Sequence, residues 1–156
     1  MNLRTPLIAI LLLVGISLAQ QSKIEFTQET LDNGLTVIYA PMHNAPIVHT
    51  RLLYHVGSRD ERPDRQGFAH MFEHMMFRGS AHVSPEEHMR LIGIVGGESN
   101  AFTSFDQTVY HNTIPSNNTE LALWLEADRM ASFKVNDQIF KRSEERRVGK
   151  ECTIQC

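Results

Sequence analysis

Gly67-Phe68-Ala69-His70-Met71-Phe72-Glu73-His74-Met75-Met76-Phe77 lies near the middle of this 156-residue chain. Phe68, Met71, Phe72, Met75 and Met76 recur at spacings of three and four, the period of a helix that turns one side to a core. Gly79 and Ser80 end the pattern. Inside such a helix, His70 and His74 leave the same face about one turn apart, with Glu73 beside them. Two imidazoles at this spacing can bind one Zn²⁺ through neutral ring nitrogens. A carboxylate placed as Glu73 is can reach the metal-bound water without being a ligand. Zinc brings the pKa of that water to about 7, so the carboxylate can take its proton. The hydroxide then attacks a carbonyl that zinc polarises, and the carboxylate returns the proton to the leaving group.

Working outward, the chain towards the amino end is rich in strand signals. Ile24 to Thr27 reads as a short strand, Asp32-Asn33-Gly34 as a tight turn and Leu35 to Tyr39 as a second strand. Ile47 to Val56 is β-branched and aromatic and reads as a longer strand, followed by a polar loop, Gly57 to Arg65. Beyond the central helix, Ser84-Pro85-Glu86-Glu87 has a capping residue, a proline at the first helical position and an acidic first turn. A second helix is expected from Ser84 to the Gly96-Gly97 stop. Phe102 to Phe105 and Thr108 to Ile114 read as two strands. A third helix is expected from Thr119 to about Phe133, well buried because Leu121, Leu123, Trp124, Leu125 and Met130 spread around it. Strands in adjacent groups rather than in strict alternation with helices imply an α+β domain, two layers with a largely antiparallel sheet packed against helices.

Composition narrows the class. Hydrophobic content of 42% and charged content of 21% are ordinary for a globular protein. A net charge of −3 is too mild for a nucleic-acid partner. The eight histidines are scattered, so their number alone says nothing of metal. Arg4, the apolar run Leu7 to Leu18 and the small residues ending at Ala19 have the pattern of a secretory signal. The apolar run is short for a membrane span, so no stable membrane anchor is expected. Residues 1–19 are therefore read as a signal peptide removed near Ala19, and the mature chain as secreted or periplasmic.

Residue order over some 110 positions resembles the amino-terminal domain of the pitrilysin/insulinase family of zinc metallopeptidases, whose H-x-x-E-H is the inverse of the commoner H-E-x-x-H. The resemblance rests on Leu31-Asp32-Asn33-Gly34-Leu35, Val56-Gly57-Ser58, Gly67 to His70, Glu73 to Phe77, Gly96-Gly97 and Asn100-Ala101-Phe102-Thr103. Asp106 to Tyr110 and Glu126-Ala127-Asp128-Arg129-Met130 complete it. It implies a zinc-dependent metalloendopeptidase of the pitrilysin/mitochondrial-processing-peptidase type, with one Zn²⁺ held by His70 and His74 and Glu73 as general base. Peptides or unfolded proteins would be its substrates. Asn100, Ala101 and Phe102 would pair with an extended substrate as an added strand. Their other reading is structural, with Asn100 holding a turn and Phe102 in the core. Asp128 and Arg129 read as an ion pair or a packing feature, and His55 and His111 as ordinary strand residues.

The family draws its third ligand from a downstream glutamate, which the resemblance assigns to Glu151, with Glu144 as a supporting carboxylate on the same helical face. Arg142 to Cys152, however, back-translates in one frame into a common sequencing-adapter sequence. Residues 20–141 are therefore expected to be an incomplete peptidase domain, and 142–156, with Cys152 and Cys156, adapter read-through. Such a fragment is expected to be inactive alone and to need a second family domain or partner subunit. The alternative reading is a non-catalytic half-domain that shapes a chamber for an active partner.

Overall fold

A computed structural model of the chain describes residues 24–134. The expected signal peptide, the tail, Glu144 and Glu151 lie outside the described residues. Within them the chain forms two units, divided between Ala45 and Pro46.

The first unit is an antiparallel hairpin of β1 (Thr27–Thr30) and β2 (Thr36–Tyr39). The Asn33-Gly34 turn forms as expected: Gly34 has φ 85°, and Asn33 Oδ1 accepts from the Leu35 N–H at 3.0 Å. β1 begins where the expected strand, Ile24 to Thr27, ends. Pairing runs outward from the turn to Thr27 opposite Tyr39. Two residues past Tyr39 stands Pro41, which has no N–H to continue a ladder.

The second unit is a three-stranded antiparallel sheet covered by helices. Its strands are β3 (Ile47–Tyr54), β4 (Glu98–Thr103) and β5 (Thr108–Pro115), in the order β3-β5-β4. Alternation assigns the faces. The register aligns Val48, Thr50, Leu52 and Tyr54 of β3 with Ile114, Asn112, Tyr110 and Thr108 of β5. Ser99, Ala101 and Thr103 of β4 extend the same face. Helices α1 (Phe68–Met75), α2 (Glu87–Ile94) and α3 (Thr119–Ser132) pack on the sheet, α1 and α2 against β4, α3 against β3 and β5. The core is Val83, Ile92, Ile114, Ala122 and Leu125. Both sheets are antiparallel and the helices pack on one of them, the α+β architecture expected from the sequence.

Two helices depart from expectation. α2 starts at Glu87 rather than Ser84, because Glu86 adopts φ 68° and breaks the helical path. The capping contact survives as a turn, in which the Ser84 hydroxyl donates to the Glu87 carboxylate at 2.5 Å. α3 has its expected limits but not its expected burial. Leu123, Trp124 and Met130 are 55%, 47% and 44% exposed, whereas Glu126, Asp128 and Arg129 are buried. Apolar residues all round the helix did not reveal which side meets the sheet. That side is decided by polar partners on β5, chiefly Asn112, which donates to Glu126 at 2.8 Å.

The start of α1 is built from a distance. Gly67 has φ 89° and offers no side chain to cap the helix. Glu61 takes that role instead, accepting from the N–H groups of Gly67 at 2.6 Å and Ala69 at 2.7 Å. An anionic carboxylate there also suits the positive end of the helix dipole. The loop carrying Glu61 is held against the β4–β5 turn, where Ser58 and Arg59 donate to the Ser104 and Phe105 carbonyls. A Cβ at Gly57 would stand 2.4 Å from the Ser104 oxygen, so only glycine permits that approach.

Candidate active site

α1 brings its two histidines together. His70 Nε2 and His74 Nε2 are 3.0 Å apart, with ring centroids at 4.7 Å, and both rings are half-buried. Nitrogens this close can point their lone pairs at a common ion at the usual Zn–N length of about 2.0–2.1 Å. Two neutral imidazoles converging beside a carboxylate are a donor set that fits zinc. Among the described residues, no group of three or more His, Cys, Asp or Glu could hold a metal ion. The positions expected to supply the third ligand and its support, Glu151 and Glu144, lie outside those residues.

Glu73 sits on the same face of α1 and is only 7% exposed. Its Oε2 accepts a 2.5 Å hydrogen bond from the Thr103 hydroxyl at the end of β4. This contact was not anticipated from sequence. The one available signal was alternation along β4, which puts Thr103 two residues from Ala101 on the helix-covered face. A cleft of about 570 Å³ lined by Phe68, Phe72, Met76, Tyr54 and Tyr110 opens on the other side of α1. Helical spacing turns Phe68 and Phe72 of α1 away from His70 and His74, so the cleft is distinct from the histidine pair.

The other candidates fall along β4, an edge strand that pairs with β5 and with no further strand among the described residues. Asn100 and Phe102 lie on its exposed face, and the Arg51 guanidinium stands 5.6 Å from the Phe102 ring centre. Asn100 is mid-strand and not in a turn, and Phe102 is not core. Ala101 lies on the opposite face with Thr103. Its N–H donates to Asn100 Oδ1 at 2.9 Å, which directs that N–H away from β5 and towards the open edge.

Beneath the site lies a buried polar cluster. Arg129 pairs with Glu126, and its guanidinium is 4.2 Å from the Tyr110 ring centre and 5.1 Å from that of Phe77. His88 Nε2 stands 3.9 Å from Glu126. Burial, helped by Arg129, pulls the His88 pKa down to about 4. Burial raises the Tyr110 phenol above its ordinary range despite Arg129. Asp128 does not pair with its neighbour Arg129. It accepts from Ser80 and from His82 at 2.5 Å, and hydrogen bonds from His82 and Ser80 hold its carboxyl down at about 2. His111 lies in β5 as expected, 5.6 Å from His49, whereas His55 falls in the bend after β3.

The family model for the insulinase peptidases (peptidase family M16) matches residues 36–153. The zinc protease PqqE of Helicobacter pylori is 35% identical over 133 residues, covering 84% of this chain and 30% of that protein. The crystal structure of a protease from Helicobacter pylori superposes with a TM-score of 0.76 at 34% identity, covering 81% of this chain and 32% of that one. Pitrilysin superposes with a TM-score of 0.72 at 24% identity, covering 81% of this chain and 14% of that one, a likeness of fold alone. The chain therefore spans less than a third of the length of each of these proteins.

Proposed function

The chain belongs to the insulinase family of peptidases, M16, and from that premise we propose that it carries the catalytic helix of a zinc-dependent metalloendopeptidase. The observation that carries this reading is the convergence of His70 and His74 Nε2 at 3.0 Å, on the face of α1 that also bears Glu73. His70 and His74 would hold Zn²⁺, with Glu151 a candidate third ligand and Glu144 its support. When bound, the ion supplies a Lewis acid that polarises a peptide carbonyl and acidifies water.

The chain's own groups then have separate tasks. Thr103 occupies Glu73 Oε2, which leaves Oε1 to take the proton of the attacking water. The same oxygen returns it to the departing amine nitrogen. The open edge of β4 would receive an extended peptide as an added strand, with Asn100, Ala101 and Phe102 as its contacts. In this reading, Asn100 Oδ1 gives up the Ala101 N–H so that a substrate carbonyl can take it. Peptides and unfolded chains suit such an edge, since their backbone groups are unpaired. The activity would belong to a longer polypeptide or complex in which a second domain closes over the peptide. Export to the periplasm or the medium, with removal of residues 1–19, completes the proposal.

The test is Glu73→Gln in the full-length protein, assayed on an unfolded protein substrate. Proteolysis should vanish while zinc content stays at the wild-type level. Retained cleavage would remove Glu73 from the role of base. A wild-type protein that binds no zinc and cleaves nothing would favour a non-catalytic half-domain.

A further inference from the structure

We propose that Thr103 is a positioning residue that orients the Glu73 carboxylate and ties it to the strand on which the peptide would lie. The proposal rests on the reading of Glu73 as general base. A count of protons fixes the direction of the contact. The Thr108 hydroxyl donates its only hydrogen to the Val56 carbonyl at 3.0 Å, so it has none for Thr103, which stands 3.4 Å away. The single Thr103 hydrogen goes to the nearer of its two possible acceptors, Glu73 Oε2 at 2.5 Å, rather than to the Thr108 oxygen. Thr103 thus joins the end of β4 to Glu73 on α1, while Thr108 beside it is tied to the Val56 carbonyl just past β3.

Three features make this more than a satisfied core hydroxyl. Glu73 is nearly buried, so the orientation of its carboxylate depends on protein partners more than on bulk water. Threonine is β-branched and stiff at χ1, so its hydroxyl is held where it is needed rather than drawn from several rotamers. Thr103 is also the last residue of β4, two positions from Ala101 and on the same face. A peptide adding to that edge would bear on the strand that holds the base. One hydroxyl thus links substrate alignment to the carboxylate that carries the proton.

The test compares Thr103→Val with Thr103→Ser in the full-length, zinc-loaded protein, beside wild type and Glu73→Gln. Valine keeps the branched shape and removes the donor, whereas serine keeps the donor. For T103V, kcat should fall about 10- to 100-fold, the loss expected when a reacting group is misplaced by about an ångström. KM and zinc content should stay within about twofold of wild type, since a removed positioning contact acts on the reaction and not on general binding. T103S should recover most of kcat. Crystal structures of metal-free T103V and T103S supply a readout independent of activity: the Glu73 carboxylate should turn away in the first and stay in the second. Wild-type kcat in T103V, an unmoved carboxylate in its crystal structure, or equal losses in T103V and T103S would each overturn the proposal. Should T103V fold poorly, Thr103→Ala provides the same comparison. If Glu73→Gln kept full cleavage, the reading of Glu73 as base would fall, and the T103V crystal structure would still decide whether the hydroxyl holds the carboxylate.

Discussion

Arg129 shows how much of this unit depends on a single charge. It is 2% exposed, paired with Glu126 and stacked between Tyr110 and Phe77. A guanidinium suits that place because it is planar and weakly hydrated, so it can meet two ring faces and still reach a carboxylate in its own plane. Two of its nitrogens, Nε and Nη1, make no hydrogen bond among the described residues, so the rings and the Glu126 pair carry the compensation. Replacing Arg129 with Met should leave Glu126 buried with only the Asn112 amide as donor. Stripping one partner from a buried pair costs roughly 3–5 kcal/mol, to be read as a lowered urea midpoint. Arg129→Met with Glu126→Leu should recover much of that loss, because no orphan charge remains. A double variant as unstable as R129M would mean that stacking, and not the ion pair, is what the site needs.

At the scale of elements, α1 is held in place by a residue outside itself. Glu61 supplies both acceptors for its first turn, the service a serine or aspartate at the cap position usually performs. Glu61→Ala should lower stability by about 0.5–2 kcal/mol, the range for lost caps. Amide hydrogen exchange at Gly67 to Met71 should quicken, while α3 amides keep their protection. Unchanged exchange at Gly67 and Ala69 would show that the cap contributes nothing. The same element shows which features could be read from sequence. The helix and the convergence of His70 with His74 were legible because a spacing of four residues is local geometry. Glu61 as the cap was not, since six and eight residues separate it from its partners and no pattern marks it. Thr103 belongs to a segment that matches the family pattern, yet its tie to Glu73 spans thirty residues and depends on the register of β4. The buried side of α3 was not legible for a related reason. The length of the helix could be read from periodicity, but the buried side was chosen by Asn112, Tyr110 and Phe77, which lie elsewhere in the chain. α2 began late because Glu86 adopts a left-handed conformation that its residue type does not advertise.

For the molecule as a whole, the buried cluster makes acid the condition that exposes its weak point. His88 is buried between Phe77, whose ring centre is 5.9 Å from its own, and the Glu126–Arg129 pair. Its pKa falls to about 4 in the folded chain, below the ordinary histidine value of about 6.5. Between those two values the unfolded chain takes up a proton at His88 that the folded chain refuses. Stability therefore falls as pH drops through this window, and the neutral ring contributes fully only above about pH 6.5. A gap of this size corresponds to a loss on the order of 3 kcal/mol by pH 4. Asp128 adds to the same trend at lower pH. Its carboxyl is held near 2 by His82 and Ser80, so what it contributes is present above about pH 4 and is lost as pH falls towards 2. Urea unfolding of the metal-free chain at pH 7 and pH 4.5 should show the His88 effect without interference from a bound ion. His88→Phe removes the titrating group and keeps a flat ring against Phe77. It should be less stable than wild type at pH 7, because Phe cannot match the polar side of the pocket, yet lose less between the two pH values. Contributions from the other histidines and carboxylates are common to both proteins and cancel in the difference. Equal losses for wild type and His88→Phe would mean that His88 is protonated as easily in the folded chain as in the unfolded one. The acid sensitivity would then have to be sought in other groups, such as the His82–Asp128 pair.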